Sequence, residues 1–560
     1  MSQQILEFER DLYKTKLACG KSVLELTQYN DIPMWWLADT LFHDFIWQKI
    51  NRDALRQNAT GARIALKAFV FVYKYVGVYL EFFYDLFLIG LLKTVLTVAG
   101  RRKESKPSKP KILILAQDGQ FRSVLDYHTK QQKKTDVFFD GLLLKLKEAK
   151  FNPIGFYPIY LHPVKGVKTY IDKLINWDVE HVPSNVYLSR EAWKKQLKAQ
   201  QHFRKLWKTL VHDETFRALC NFSGRNLHKV IADQFAIFLF VLFPHLVKCI
   251  EADQNLMDAE NPELIVLLNE FFWRERSLVI AAKLKKIPIV ALQHGEIWVS
   301  HKSYSHAPDE ISSDGKFEPP YCPLPDLTCV YGPYYKKLLA EHGMYPEGSV
   351  AVTGQPRYDR IRHASEIYSR TRFCQKNDID QDHRIVLWTN TFSYLSEQEN
   401  EETIESILRT VKELDRVTLV VKPHPNDSGK YLRMIRQRLQ NTANVIIAPR
   451  NADTFELLYV SDLVINKAST VTLEAVAMDK PVLILSLGAT EEMMQPVVEN
   501  VALLVRDRTR LTEAICALLK NSDNLKTNRR KYVRKYLHAI DGNSAQRVAQ
   551  EIEKMATRGG

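Results

Sequence analysis

A histidine between two prolines is the first candidate for chemistry in this sequence. Lys422-Pro423-His424-Pro425 follows the apolar run VTLVV at 417–421. Proline fixes its own φ and holds the preceding residue extended, so the His424 imidazole is restricted to few directions. It could donate a hydrogen bond to a phosphate oxygen, to which Lys422 would add positive charge. The alternative is a rigid surface turn with an incidental histidine.

Two hydroxyl residues form the second candidate. Ser469 and Thr470 stand between the apolar run at 462–466 and a helical pattern. Such residues can simply cap a helix, but the same place can bind an anion, because free N–H groups and the helix dipole converge there. Glu474 follows one helical turn later and could accept hydrogen bonds from a ribose.

The third candidate is the turn Gln293-His294-Gly295-Glu296, which again follows an apolar run. Glycine permits a sharp turn that exposes the imidazole. His294 could accept the proton of an attacking hydroxyl, and Glu296 could orient it or act as the base itself. A purely structural histidine is the alternative.

Two series of alternating strand and helix patterns would position these residues. Apolar runs that read as buried strands occur at 112–117, 263–270 and 287–295, and SVAVTGQPRYD at 349–359 closes this first series. A second series has runs at 384–390, 416–425, 444–449, 462–466 and 480–486. This alternation is typical of doubly wound α/β domains, which bind ligands beyond the carboxyl ends of their strands. We therefore expect an α/β fold with two Rossmann-like domains that face a cleft.

The predicted domain organisation has four parts. They are a helical, hydrophobic region at 1–105, an N-terminal acceptor domain at 106–360 with a helical insertion around 188–258, a C-terminal donor domain at 361–524, and C-terminal helices at 525–560. The first boundary lies in a linker rich in Lys, Ser and Pro at 101–111.

Composition limits the class of protein. The net charge of +13 favours an anionic partner such as a nucleotide, a nucleic acid or an acidic membrane surface, although an evenly solvated basic surface is also consistent with it. The basic run at 188–208 lacks the spaced aromatics of a single-strand binding groove, which argues against nucleic acid. The seven cysteines form no C-x-x-C pair, so neither a zinc site nor a disulfide framework is predicted. No secretory signal is recognisable at the start, which favours the cytoplasm.

Residues 62–98 are the most apolar part of the chain. Charges at Lys67, Lys74, Glu81 and Asp85 share one helical stripe. The two acids argue against a simple spanning helix. One alternative is a helical layer packed on the protein core with its charged stripe in water. The other is a helix lying in a membrane interface, next to the basic linker.

Four motifs follow one another along the chain: Q-H-G at 293–295, T-G-x-P-R-x-D at 353–359, K-P-H-P at 422–425 and S-T-x-x-x-E at 469–474. In this order they resemble the motifs of a known group of enzymes. It comprises the GT-B glycosyltransferases and glycerophosphotransferases of cell-surface polymer synthesis. Within it, the chain is similar to CDP-glycerol glycerophosphotransferases and to capsule Kdo- and sialyltransferases. The resemblance covers roughly 260–510, and 111–160 only weakly.

The resemblance implies a nucleotide-activated donor of the CMP, CDP or UDP type, bound as a substrate and without a cofactor or metal. It implies that His424, Ser469 and Thr470 contact the donor phosphates, Glu474 the ribose, and that His294 is the base. An acid before glycine serves as base in the sialyltransferase-like members, which makes Asp118 and Asp140 further candidates.

The expected function is a metal-independent transferase that moves a sugar or glycerophosphate to a glycan or lipid-linked acceptor, from the cytoplasmic face of the cell membrane. A UDP-sugar 2-epimerase of the same fold, which needs no acceptor, is one alternative. A non-catalytic membrane- or anion-binding protein is another.

Overall fold

Two parallel sheets form the framework of the protein. The computed structural model describes residues 2–52, 68–99, 109–126, 129, 131–159, 163–312, 316–390, 397–424, 429–439, 444–467, 469–487, 495–520 and 525–558. The first sheet has seven strands in the spatial order β7-β6-β5-β4-β1-β2-β3. Its strands are β1 (Lys111–Leu115), β2 (Asn152–Phe156), β3 (Glu180–Val182), β4 (Leu264–Leu268), β5 (Ile289–Leu292), β6 (Leu327–Val330) and β7 (Val350–Val352).

The second sheet has six strands in the order β10-β9-β8-β11-β12-β13. They are β8 (Arg384–Asn390), β9 (Val417–Pro423), β10 (Val445–Ile447), β11 (Leu463–Asn466), β12 (Val482–Leu485) and β13 (Ala502–Val505). The paired strands in both sheets run parallel. The predicted α/β fold is therefore confirmed, with two doubly wound domains.

The strand order reverses once in each sheet, between β1 and β4 and between β8 and β11. At such a point neighbouring crossovers leave on opposite faces and open a crevice beyond the carboxyl ends of the strands. Asp118 follows β1, and Ser469 and Thr470 follow β11. The chain thus presents candidate residues at both crevices.

Helices cover both sheets and build the N-terminal region. Among the described residues, π-helical turns lie at Tyr73–Gly77, Phe238–Leu242 and Val533–Leu537. The α-helices are Ser2–Lys14, Val23–Leu26, Asp39–Arg52, Val78–Ala99, Asp140–Glu148, Pro163–Asn176, Arg190–His212, Glu214–Leu219, His228–Ile237, Phe243–Glu260, Trp273–Leu284, Pro333–His342, Asp359–Arg362, Ala364–Ile367, Arg370–Lys376, Glu397–Glu413, Lys430–Arg438, Thr454–Val460, Val471–Ala477, Gln495–Val498, Leu511–Lys520, Lys526–Tyr532 and Ser544–Arg558.

The last helix, Ser544–Arg558, returns to the first domain. Its Val548 and Ile552 join the apolar cluster that covers one face of the seven-stranded sheet. Asp359 accepts hydrogen bonds from the backbone N–H groups of Ser544 and Ala545, both at 2.8 Å. A carboxylate at this position satisfies free N–H groups of the first turn and so fixes where the helix begins.

The hydrophobic N-terminal helix runs from Ala68 to Thr97, while residues 62–67 and 100–108 lie outside the described part of the chain. Its Glu81 and Asp85 point inward and pair with Lys248, at 2.7 and 2.6 Å. The helix therefore packs on the protein core, as one alternative has it, but the charges of its stripe at Glu81 and Asp85 face inward and not water. The pairing partner lies on the distant helix Phe243–Glu260, which the local spacing of charges does not indicate.

Two helices, Ala68–Thr97 and His228–Glu260, are long and apolar enough to cross a membrane by length and composition. The second is buried over more than half of its most apolar window, whereas the first is buried over one third. A helix that packs on its own domain through buried charges can meet this criterion of length and composition without crossing a membrane.

Candidate active site

The turn after β5 is shaped by a buried glutamine. Gln293 Nε2 donates to the Gly295 carbonyl at 2.7 Å, and Gln293 Oε1 accepts from the Tyr331 N–H at 2.8 Å. The His294 ring then lies 5.3 Å from the Phe138 ring, centroid to centroid. Burial and the nearby Arg357 guanidinium lower the pKa of His294. Its imidazole is therefore neutral near pH 7 and able to accept a proton.

The same turn meets the second domain across the cleft. A Cβ placed on Gly295 would lie 3.3 Å from Thr470 Cγ2. The absence of a side chain at Gly295 is what permits this approach, since any larger residue would press on the Thr470 methyl. The structure thus brings the Q-H-G turn and the hydroxyl-bearing turn together.

Arg357 links the two sides, and the prediction of site residues missed it. It lies in the short turn Pro356–Tyr358 after β7, within the T-G-Q-P-R-Y-D motif. Its guanidinium is 5.3 Å from the Phe138 ring centroid in the first domain and 4.8 Å from the Phe455 ring centroid in the second. Cation–π contacts of this kind hold the planar group in one orientation.

Glu474 is the ionic partner of Arg357. Its Oε1 lies 2.9 Å from Arg357 Nη1. The Glu474 side chain is almost fully buried, and its Oε2 has no hydrogen-bond partner among the described residues. Burial raises the pKa of this carboxyl, and Arg357 opposes that shift. A buried acceptor in this state is suited to a hydroxyl donor from a ligand.

A second arginine adds to the positive charge of the cleft. Arg122 belongs to the hairpin Phe121–Leu125 with Gln132–Asp136 of the first domain. Burial and Arg357 lower the pKa of Arg122, so the two guanidinium groups are close enough to repel. Burial and Arg122 in turn lower the pKa of Lys422 to about 8. Arg122 thus acts on a cation of each domain, and Asp136 and Asp453 oppose the two shifts. An anion bound among the three cations would lower their mutual repulsion.

β9 ends at Pro423, so Lys422 lies inside the strand and not past its end as predicted, and His424 is the first residue after it. Lys422 Nζ donates to the carbonyls of Pro423 and Arg450, at 3.1 and 2.8 Å, and so spends two of its hydrogens on holding the loop. Among the described residues, this leaves one hydrogen of the ammonium for a phosphate oxygen. His424 follows directly and is half-buried, while Pro425 lies outside the described residues.

Of the two hydroxyl residues, Ser469 caps the helix, whereas Thr470 is free of that role and faces the cleft. Ser469 Oγ accepts from the Val471 N–H at 3.2 Å, which is a capping contact. Thr470 makes no such cap bond and is half-buried facing Gly295. Thr470 is therefore the better placed of the two to meet a ligand in the cleft.

The acidic candidates have different surroundings. Glu296 is half-buried, and burial raises its pKa to about 7, with Tyr335 and Tyr532 nearby. Asp118 pairs with Lys173 at 2.7 Å, and Asp140 pairs with Lys133 at 2.9 Å. Each of these two aspartates is therefore held by a lysine of its own domain.

One group of side chains among the described residues could hold a metal ion. Asp380, Asp382 and His383 bring ligand atoms within 4.8 Å of one another, but they precede β8 and so lie at the amino end of the strand, away from the cleft. Exposed acidic groups of this kind are common without an ion. The cleft itself offers cations to a ligand phosphate.

Two doubly wound parallel domains on either side of a cleft make up the GT-B architecture, which was the fold predicted. Residues 280–554, just under half of the chain, match the family model described as CDP-Glycerol:Poly(glycerophosphate) glycerophosphotransferase. The matched range contains His294, Arg357, His424, Thr470 and Glu474. The match supports the resemblance to CDP-glycerol glycerophosphotransferases and confirms the prediction of a transferase.

Several solved structures are similar to this chain. They include the S. aureus MnaA–UDP co-structure (14% identity, TM-score 0.48, 80% of this chain and 97% of that chain covered), UDP-GlcNAc 2-epimerase from Neisseria meningitidis bound to UDP-GlcNAc (13%, 0.49, 79% and 99%), and the wall teichoic acid polymerase TagF soaked with CDPG (11%, 0.46, 86% and 98%). No curated protein matches the chain.

Proposed function

We propose that this protein transfers glycerophosphate, or a sugar, from a nucleotide-activated donor to a hydroxyl of a cell-surface or lipid-linked polymer. CDP-glycerol is the first donor to test, because the matching family model is described by that donor and a poly(glycerophosphate) acceptor. Donors of the CMP and UDP type are the remaining members of the class. The donor is a substrate, and the proposal requires no cofactor or metal.

The observation that carries the proposal is the convergence of both domains on one cationic cleft. Arg357 contacts aromatic rings from both domains, and the Q-H-G turn touches the Thr470 turn. Arg122 of the first domain lowers the pKa of Lys422 in the second. A diphosphate bound among these cations would neutralise charge that is otherwise repulsive, in a half-buried region where each ionic contact is stronger than in water.

Each proposed role follows from the surroundings of the side chain. Arg357, His424, Lys422 and Thr470 bind the donor phosphates, and Ser469 holds the turn that presents Thr470. Glu474 accepts a ribose hydroxyl at its unpartnered Oε2. His294, neutral at pH 7, is the general base.

The reaction with CDP-glycerol is a single displacement at phosphorus. The acceptor hydroxyl oxygen attacks the phosphorus that carries glycerol, while His294 takes the hydroxyl proton. The bond from that phosphorus to the bridging oxygen breaks, and CMP leaves with the electron pair. Arg357 and Lys422 stabilise the charge that develops on the leaving phosphate. Glu296, with a pKa of about 7, is the alternative base or the group that orients the acceptor.

Acceptor-dependent release of CMP from CDP-glycerol tests this function. We expect release with a glycerophosphate oligomer as acceptor, and loss of release in His294→Ala. Incubation with UDP-GlcNAc alone is the matched control, because an epimerase would form product without an acceptor. Binding of nucleotides without turnover of any donor would contradict the proposal and favour a non-catalytic anion-binding protein.

We also propose that the protein works at the inner face of the cell membrane as a peripheral protein. A lipid-linked acceptor would be found there, and the net charge of +13 favours an anionic membrane surface.

A further inference from the structure

The helix Ala68–Thr97 exposes aromatic side chains where a soluble protein usually presents charges. Phe69, Phe71, Tyr75, Tyr79, Phe83 and Phe87, here called the aromatic ridge, are all exposed, and Phe71, Phe83 and Phe87 are each at least 65% exposed. They recur at helical spacing, and the exposed positions from Ala68 to Leu91 include no charged residue. A contiguous exposed apolar surface of this kind marks an interaction site.

The opposite side of the helix is fixed to the protein by buried charges. Glu81 Oε2 accepts hydrogen bonds from Lys248 Nζ and Gln196 Nε2, at 2.7 and 2.8 Å. Asp85 Oδ2 accepts from Lys248 Nζ and Trp193 Nε1, at 2.6 and 3.1 Å. These partners lie on two helices of the globular part, so the helix cannot turn its ridge inward or leave the domain without breaking the network.

A neighbouring helix also exposes apolar side chains. Pro163–Asn176 packs on the hydrophobic helix through Val167 and Tyr170, which share an apolar cluster with Leu88 and Leu92. It exposes Val164 and Ile175, at 83% and 73%. Lys165 and Lys168 are exposed on the same helix. Apolar side chains beside lysines are the pattern of a surface that lies at the boundary between anionic headgroups and acyl chains.

We propose that the aromatic ridge inserts into the interfacial region of a bilayer that contains anionic lipids, with the helix parallel to the membrane and Lys165 and Lys168 at the headgroups. Two observations favour a bilayer over a second copy of the chain. The exposed lysines and the net charge of +13 repel another copy but attract anionic lipid. Phenylalanine and tyrosine are also suited to the apolar and wet parts of that boundary. The inference rests on the proposed location and is independent of the transfer chemistry.

Co-sedimentation of the full chain with phosphatidylcholine vesicles, with and without phosphatidylglycerol, tests the ridge. The test variant is Phe71→Ser/Phe83→Ser/Phe87→Ser, and the matched control is Val498→Ser/Leu503→Ser, which removes exposed apolar residues from the other domain. We expect the ridge variant to lose about 100-fold or more in vesicle partitioning, since each aromatic side chain loses a large apolar area. The control should partition like the wild type.

A second variant, Lys165→Glu/Lys168→Glu, tests the lipid charge. It should lower partitioning about fivefold or more per residue on vesicles with phosphatidylglycerol, and should have little effect on phosphatidylcholine alone. CMP release with a soluble acceptor should be unchanged in both variants, so failure of the surface can be told from failure of the enzyme.

Three outcomes would overturn the proposal. The wild type could stay in the supernatant with both kinds of vesicle. It could form a concentration-dependent dimer that the ridge variant abolishes, which would make the ridge an interface between copies. It could also resist extraction from membranes at alkaline pH, which would indicate a spanning helix.

Discussion

Glu474→Gln gives the sharpest test of how the cleft holds a nucleotide. The substitution keeps the size of the side chain and its Oε1, which can still accept a hydrogen bond from Arg357. It replaces Oε2, the buried acceptor without a partner among the described residues, by an NH₂ donor. A ribose hydroxyl would therefore lose its charged acceptor.

The expected magnitude follows from the type of bond. A hydrogen bond to a charged group contributes about 1.5–3 kcal/mol, which corresponds to about 10- to 150-fold in Kd. The fold should survive, because the change also removes a buried charge whose pKa burial has raised. We expect the loss to appear with CDP and not with inorganic pyrophosphate, which has no ribose.

Isothermal titration with CDP and with 2′,3′-dideoxy-CDP, on the wild type and on Glu474→Gln, gives a double-mutant type of cycle between the carboxylate and the ribose hydroxyls. The wild type should prefer CDP by about tenfold or more, and Glu474→Gln should bind both ligands equally. If the variant keeps the full preference for CDP, Glu474 does not contact the ribose. The assigned orientation of the donor would then be wrong.

Four further predictions concern the same cleft. His294→Ala should lower transfer about 10²- to 10⁴-fold with little change in nucleotide affinity, measured by CMP release and titration. Because the pKa of His294 is lowered from 6.5, protonation should reduce the transfer rate only below that pH. This loss of rate at acidic pH should persist in Glu296→Gln. If the rate instead falls near pH 7 and the variant removes that fall, Glu296 is the base. Arg357→Lys should weaken CDP binding about tenfold or more, because an ammonium group can neither stack on the aromatic rings nor donate two parallel hydrogen bonds to a phosphate. Equal affinity of the variant and the wild type would show that Arg357 does not bind the phosphates. Gly295→Val should cost about 1–3 kcal/mol in chemical denaturation through its clash with the Thr470 methyl, and Thr470→Ser should recover most of that loss if the turns meet as described.

Much of the fold could be predicted because buried parallel strands are continuous apolar runs. The runs at 384–390 and 462–466 became β8 and β11 almost residue for residue. Strands β2, β3, β6 and β13 were not predicted. β2 contains Pro153 and Gly155, and β3 reads Glu-His-Val, with two polar residues of three, so neither is a continuous apolar run.

The site was predictable where a residue follows a strand, and less so where its role depends on distant partners. The sequence placed His294 and Thr470 on turns after β5 and β11, and the structure brings those turns together. Arg357 is part of the T-G-x-P-R-x-D motif, but its position between Phe138 and Phe455 depends on the three-dimensional fold. The inward direction of Glu81 likewise depends on Lys248, a residue 167 positions away.

Nucleotide binding by the wild type and by Arg357→Ala tests the central claim most directly. A thermal-shift panel with CMP, CDP, UDP and GDP should show stabilisation by at least one nucleotide, about 2.7 kcal/mol at 100 times its Kd. The shift should be largely lost in Arg357→Ala. No shift with any of the four nucleotides, or an equal shift in the variant, would contradict a donor site built around this cationic cleft.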